Sequence, residues 1–116
     1  MAGVPLLSQL ESYLSLTNQR ETVIASNMAN IDTPGYQTKD IDFQHELAKA
    51  MASPEEAPTS VSVRDVRGLL QRPDGNNVDV DRESLELSEA QLQYEMGTQL
   101  VKDRFHQLLT AINGDQ

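Results

Sequence analysis

Apolar residues recur at alternating steps of three and four along the first part of the chain, which is the spacing of one helix face. The positions on this stripe are Leu7, Leu10, Leu14, Thr17, Glu21, Ile24, Met28 and Ile31. Thr17 and Glu21 interrupt it with polar side chains, which either set the register of a helix assembly or mark a solvated turn. Pro5 suits a first helical turn, where its missing N–H donor costs nothing. We predict a helix from about Pro5 to Ile31.

A second long amphipathic segment runs from about Asp81 to Asn113 and carries two apolar stripes. The first stripe is Leu87, Gln91, Tyr94, Thr98, Val101, Phe105, Leu108 and Ile112, and the second is Leu85, Leu92, Met96 and Leu100. Two stripes on one helix predict more than one neighbour. Asp81 and Ser84 are the candidate N-caps, and Asn113-Gly114 is a typical helix end.

The middle of the chain is less regular. A short amphipathic stretch from Asp42 to Ala52 is followed by a predicted loop or flexible linker over Ser53–Ser60. The apolar side of the short stretch carries Phe43, Leu47, Ala48 and Met51. Val61, Val63 and Val66 approximate strand alternation, and Leu69, Leu70, Val78 and Val80 flank Asp74-Gly75. Because Asp-Gly is a strong tight-turn pair, we predict a small β-hairpin there.

Together these patterns predict a mainly α fold, in which two long terminal helices pack as a coiled-coil-like hairpin around a small irregular or β-hairpin insert. Residues 1–36 form the N-terminal helix and its turn, residues 37–80 the insert, and residues 81–116 the C-terminal helix. A simple hairpin would leave the second stripe of the last helix in water. We therefore expect a subunit that packs against other molecules, with chain ends that order on assembly.

The charge balance excludes some partners. The net charge is −9, with a pI of about 4.5, so nucleic acid and anionic lipid are poor partners because their binding depends on clustered Lys and Arg. Seven carboxylates lie between Asp74 and Glu95 against the single Arg82. We interpret this run as a solvated face or loop, in preference to a site for a cation or a basic partner.

The sequence carries no pattern of a catalytic or metal site. It has no cysteine, and His45 and His106 lie in different segments without ligand spacing. Residues 74–81 are similar to a calcium loop at first sight, but their oxygen ligands and glycine do not fall in EF-hand positions, so we predict a turn held by Asx side chains. We expect no enzymatic activity, cofactor or metal. We also expect no membrane span, and if the chain leaves the cytoplasm, export without a cleavable signal.

The junction after the first helix is the most specific feature. Asn27 and Asn30 disfavour the helix interior, and Pro34 pushes Thr33 out of the α region. Pro34-Gly35 matches the central pair of a type II turn. The residues expected to set this bend are Asn27, Asn30, Thr33, Pro34, Gly35 and Tyr36.

Residues 27–36 resemble the Asn-x-Ala-Asn-x-x-Thr-Pro-Gly-Tyr signature of the flagellar rod and hook proteins, with Met28 where Ile or Leu is usual. Residues 39–43 and 74–83 are similar to segments of the short proximal rod subunits. The chain also lacks the large inserted β domains of hook and distal rod proteins.

The resemblance implies a structural subunit of the proximal rod in the bacterial flagellar basal body. Such subunits assemble helically through their terminal helices, which form a coiled-coil-like inner layer, and transmit torque. The implied partners are copies of the chain, other rod proteins, the adaptor FliE, the membrane-ring protein at the rod base and the type III export apparatus. The implied location is the periplasmic rod. The alternatives are another short rod protein of FlgC type and a cytosolic helical export adaptor or chaperone.

Apolar residues of both terminal helices are expected to form the core of the subunit interfaces. These residues are Leu7, Leu10, Leu14, Ile24, Met28, Leu92, Met96, Val101, Phe105 and Leu108.

Overall fold

The computed structural model describes residues 3–52 and 61–114, which are mainly helical. The elements are α1 (Gly3–Ala29), β1 (Lys39–Ile41), α2 (Phe43–Ala52), β2 (Val63–Asp65) and α3 (Val80–Ile112). The molecule measures 68 × 25 × 18 Å, and its radius of gyration is 18.0 Å. A compact domain of this length would have a radius of gyration of about 13 Å. The predicted fold class, two long terminal helices with a small insert between them, is confirmed.

Helix α1 ends two residues earlier than predicted, because its last turn tightens. The Asn30 N–H is shared between the carbonyls of Ser26 (3.1 Å) and Asn27 (3.2 Å), and Ile31 N–H donates to Met28 O at 3.3 Å. Hydrogen bonds from residue i to residue i−3, as in a 3₁₀-helix, satisfy the last carbonyl groups of a helix and end it.

Helices α1 and α3 pack antiparallel along one line of α3. The α3 residues buried there are Glu83, Ala90 and Gly97, spaced seven apart. At Gly97 side chains of α1 pack directly on the α3 backbone, since an added Cβ would lie 2.7 Å from Leu14 Cδ2 and 3.0 Å from the Tyr13 ring. The side of α3 that faces α1 therefore consists of small and charged residues between the two predicted stripes. The pattern of large apolar residues does not predict it.

The ends of α3 have identifiable caps. The N-cap is Asp79, whose carboxylate accepts the N–H groups of Asp81 (3.0 Å) and Arg82 (3.3 Å), so the proposed caps Asp81 and Ser84 were wrong. At the other end, Asn113 is the C-cap and Gly114 follows with φ 76°, a left-handed conformation that glycine adopts without strain. The predicted end at Asn113-Gly114 is confirmed.

The two strands do not form the predicted hairpin. Strand β2 pairs antiparallel with β1, with Lys39 opposite Asp65 and Ile41 opposite Val63. The Asp74-Gly75 turn instead closes a loop in which Arg72 N–H donates to Asn76 O and Gly75 N–H donates to Arg72 O, both at 2.8 Å. The hairpin was predicted at the wrong position, because the residues after this turn contact the segment that follows α1.

Helix α2 lies against α1. Asp42 caps it by accepting the His45 N–H at 3.2 Å, and the Phe43 ring meets the Tyr13 ring edge-on, with centroids 5.7 Å apart. Its buried residues are Glu46 and Ala50, whereas Ala48, predicted on the apolar side, is exposed. The predicted linker Ser53–Ser60 lies outside the described residues, as do the terminal residues expected to order on assembly.

Candidate functional site: the helix junction and the exposed face of α3

The Thr33–Tyr36 segment forms the turn expected of its Pro-Gly pair. Tyr36 N–H donates to Thr33 O at 3.2 Å, and Gly35 has φ 75°. Thr33 and Asn30 stabilise the residues between the helix and the turn. The Thr33 hydroxyl donates to Asn30 Oδ1 at 3.0 Å, and Asn30 Nδ2 donates to Ser26 O at 2.8 Å. The chain thereby reverses away from α1 immediately after the helix ends.

Asn27 is the polar centre of this region and is fully buried. Its Nδ2 donates to Lys39 O (2.8 Å) and to Glu83 Oε1 (2.6 Å). Its Oδ1 accepts from the Tyr36 hydroxyl and from Lys39 N–H, each at 3.0 Å. All four hydrogen-bonding positions of the amide are therefore used. One side chain ties together α1, the turn, β1 and α3.

Glu83 is a fully buried carboxylate at the same place. A buried charge is costly unless it is paired and hydrogen-bonded. Glu83 Oε2 lies 2.5 Å from Arg82 Nη1, and Arg82 Nη2 lies 3.6 Å from Asp40. The first residues of α3 thus fasten this helix both to Asn27 and to strand β1.

The segment that precedes α3 docks onto the turn that follows α1. Gly35 N–H donates to Asp74 O at 2.9 Å, and Gln37 Nε2 donates to Gly75 O at 2.7 Å. At Gly75, with φ 88°, an added Cβ would lie 3.2 Å from Gly35 Cα, so glycine is required by both conformation and space. The two sequence motifs form one hydrogen-bonded unit, residues 27–39 with residues 74–83, which we call the junction.

Two asparagines in the second motif hold the junction closed. Asn76 Nδ2 donates to the carbonyls of Asn30 and Thr33, each at 2.9 Å, and Asn77 Oδ1 accepts from Thr38 N–H at 2.7 Å. Asn76 N–H also donates to Asp74 Oδ1 at 3.0 Å. This Asx geometry confirms the predicted turn.

Arg20 forms a second polar contact between the long helices, about two helical turns before Asn27 on α1. Its guanidinium, buried in the α1–α3 seam, contacts Glu86 (2.5 Å), Glu89 (3.2 Å) and Gln93 (2.8 Å). Nearby, burial raises the pKa of Tyr13 above its usual 10.0, and the positive charge of Arg20 partly opposes that rise.

The predicted interface residues fall into two groups. Those on α1 line the seam or its edges: Ile24 is buried, and Leu7, Leu10, Leu14 and Met28 are half-buried. On α3, Val101 and Leu108 are half-buried, whereas Leu92, Met96 and Phe105 are each more than half exposed. The structure therefore brings Leu14 to α3 but does not bring Leu92 or Met96 to α1.

Several residues that organise the site were not singled out from the sequence. They are Arg20, Glu83, Ala90 and Gly97. The seven-residue spacing of Glu83, Ala90 and Gly97 is typical of a helix–helix contact. It indicates the contact side of α3 only if small and charged residues are considered as contact residues along with large apolar ones.

Both histidines are exposed. Within residues 3–52 and 61–114, no group of acidic and His side chains is placed to hold a metal ion. Helices α1, α2 and α3, over the described residues, also lack the combination of length and apolar character that a membrane crossing requires.

The regions that form this site also match known proteins. Residues 10–37, which include most of α1 and the whole Pro34-Gly35 turn, match the family described as flagella basal body rod protein. The chain is 33% identical over 124 residues to the flagellar basal body rod protein FlgB of Salmonella typhimurium, covering 90% of each chain. The FlgB protein of Bacillus subtilis is 31% identical over 120 residues, covering 93% of each chain. The chain belongs to the FlgB family of flagellar basal body rod proteins. The FlgB protein of Escherichia coli (strain K12) is similarly related, at 33% identity over 88% of each chain.

Membership of the FlgB family makes this chain a structural component of the flagellar basal body rod. It does not favour the FlgC-type alternative or the cytosolic adaptor, since these full-length relatives are FlgB proteins. The junction, which joins both ends of the insert to both long helices, contains the family's signature turn.

Proposed function

We propose that the chain assembles helically into the proximal rod by burying the exposed faces of α3 against neighbouring subunits. The observation that carries this proposal is the exposure of large apolar side chains along the whole helix. Nine of them on α3 are exposed in the described residues: Val80, Leu85, Leu92, Tyr94, Met96, Leu100, Phe105, Leu109 and Ile112. Extended apolar surface of this kind is rare on monomeric soluble proteins and marks interaction sites.

The proposed domain roles follow from this arrangement. Residues 1–36 and 81–116 form the coiled-coil-like inner layer, and residues 37–80 form the small insert. Asn27, Asn30, Thr33, Pro34, Gly35 and Tyr36 set the bend between them. A junction with its buried polar groups fully hydrogen-bonded resists deformation, so it suits a subunit that transmits torque.

The proposed role is structural, without catalysis. Family membership and the resemblance of the signature turn support partners among copies of the chain and other rod proteins. They also support contacts with FliE, with the membrane-ring protein at the rod base and with the type III export apparatus, in a periplasmic location reached without signal cleavage.

Rod incorporation tests the proposal. In cells whose only copy carries Phe105→Asp, we expect the protein to be absent from purified basal bodies and motility in soft agar to be lost, because a carboxylate would be buried in the subunit interface. Leu14→Asp should have the same result, but Leu14 also contacts α3 within the subunit. Phe105 is 55% exposed, so its substitution leaves the fold of the single chain intact.

Gln107→Asp is the matched control, since it adds the same charge to an exposed position of α3 only two residues away. We expect normal incorporation and motility for this variant. Normal motility with Phe105→Asp would contradict the proposal. A circular-dichroism spectrum of each purified variant separates loss of assembly from loss of folding.

A further inference from the structure

The two apolar stripes of α3 differ in charge. The acidic stripe consists of Leu85, Leu92, Met96 and Leu100, whose exposed fractions lie between 52% and 68%. At about 100° per residue these side chains share an arc of roughly 80°. The neutral stripe consists of Tyr94, Phe105, Leu109 and Ile112, which share an arc of roughly 60° on another side of the helix.

Only one of these two arcs carries carboxylates. Glu89 and Asp103 lie on the arc of the acidic stripe, and Asp81 lies about 20° beside it. The arc of the neutral stripe carries no charged residue of α3, and the two charged residues about 20° beside it are Lys102 and the buried Glu83. Within residues 3–52 and 61–114, Asp81 and Asp103 form no ion pair, and Glu89 remains 57% exposed although it contacts Arg20. Arg82 lies at the edge of this arc, in line with Leu100, but its charge is already paired with Glu83 and Asp40.

We propose that the acidic stripe is a docking surface for a basic amphipathic helix of a different protein, and that copies of this chain pack through the neutral stripe. Leu85 to Leu100 spans about 22 Å along the helix, a length that another helix can follow. Apolar contacts would then lie between Lys or Arg side chains that meet Asp81, Glu89 and Asp103. Such charge complementarity selects the partner.

A second copy does not offer this chemistry. In its described part, α1 carries Glu11 and Glu21, and its single cation, Arg20, is buried against α3. Among the exposed cations of the described residues, Arg64 and Arg67 lie in a short strand and the loop after it, and Lys49 lies on α2, a helix only about 15 Å long. Lys102 is the one exposed Lys or Arg of the described part of α3. None of these elements therefore offers a row of cations that could follow a 22 Å helical stripe. The inference deepens the proposed function and depends on it only in treating α3 as an assembly surface. It also revises the interpretation of the acidic run as merely solvated.

Binding of a synthetic helix to the full-length chain tests the inference. The probe is a fluorescent Leu/Lys amphipathic peptide of about 18 residues, long enough to cover the stripe, followed by anisotropy. We expect it to bind, and the same peptide with Glu in place of Lys not to bind detectably. The paired substitution Leu92→Ser with Met96→Ser should weaken binding about tenfold or more, because two apolar contacts are lost. Phe105→Ser with Leu109→Ser, on the neutral stripe, should leave it within about twofold.

A charge comparison separates the stripe from the general acidity of the protein. Asp81→Asn with Asp103→Asn should weaken the peptide several-fold and reduce its salt dependence, whereas Glu11→Gln with Glu21→Gln, the same change in charge on α1, should not. Three outcomes would overturn the inference. The first is an equal effect of the two pairs of charge substitutions, and the second is binding of the Glu peptide. The third is concentration-dependent self-association of the chain that Leu92→Ser with Met96→Ser abolishes. The last outcome would place a second copy on the stripe. Failure of the proposed function is distinct, because it is measured as normal rod incorporation of Phe105→Asp in cells.

Discussion

At the junction, Asn27 and Glu83 are fully buried and hydrogen-bonded within the chain, whereas toward the end of α3 Phe105, Leu109 and Ile112 are each more than half exposed. The same two helices run through the molecule, so the difference does not come from helix type. It comes from the number of neighbours. At the junction α1, the turn, β1 and the start of α3 converge, and each polar group finds a partner among them.

Along the rest of α3, α1 covers only one line of the helix, through Ala90 and Gly97. A helix with apolar residues on several sides needs a neighbour on each of them. The comparison shows that one chain can complete its polar junction by itself but cannot cover its apolar faces. Substitutions at the junction should therefore affect the stability of the isolated chain, and substitutions on the exposed faces should affect assembly.

The largest effect is expected at the centre of the junction. Asn27→Ala removes hydrogen bonds to Lys39, Tyr36 and Glu83 and leaves buried groups without partners. We expect the free energy of unfolding to fall by about 3 kcal/mol, measured by urea denaturation of the purified chain. The matched control, Asn18→Ala at an exposed position of α1, should change it by less than about 0.5 kcal/mol. Equal effects would mean that the junction does not stabilise the chain.

A smaller effect is expected in the seam between the helices. Gly97→Val places a branched side chain where even a Cβ would lie 2.7 Å from Leu14 and 3.0 Å from Tyr13. We expect a loss of about 2 kcal/mol, since overpacking outweighs the gain in helix propensity. Ser88→Val, at an exposed position of the same helix, provides the comparison and should be nearly neutral. If Gly97→Val were as stable as the original chain, tight packing of the Leu14 and Tyr13 side chains on Gly97 would be excluded.

The smallest effect is expected on the exposed face. Phe105→Ser combined with Ile112→Ser changes side chains that are 55% and 77% exposed. The unfolding free energy of the isolated chain should move by no more than about 0.5 kcal/mol, because little buried surface is lost. A loss comparable to that of Asn27→Ala would show that these residues already have a partner within one chain, and would remove the contrast between the two regions.

Periodicity predicted the long helices well, because more than twenty residues repeat one spacing in each of them. It was less informative about which side of α3 meets α1. The contact line uses Ala90, Gly97 and the charged Glu83, and such residues do not stand out in a search for large apolar side chains. The missed N-cap has a similar cause, since Asp79, Asp81 and Ser84 all suit that position and only the path of the chain selects among them.

The amino-acid sequence by itself determined the helices, the end of α1 to within two residues, and the Pro34-Gly35 turn, because each depends on side chains within a few residues of one another. Its signature also sufficed to indicate the flagellar rod family. Only the tertiary structure decided that residues 74–79 close onto that turn, that β1 pairs with β2, and that Asn27 meets Glu83. These contacts join residues far apart in the chain, and a buried amide or carboxylate can be placed only when all of its hydrogen-bonding partners are present together.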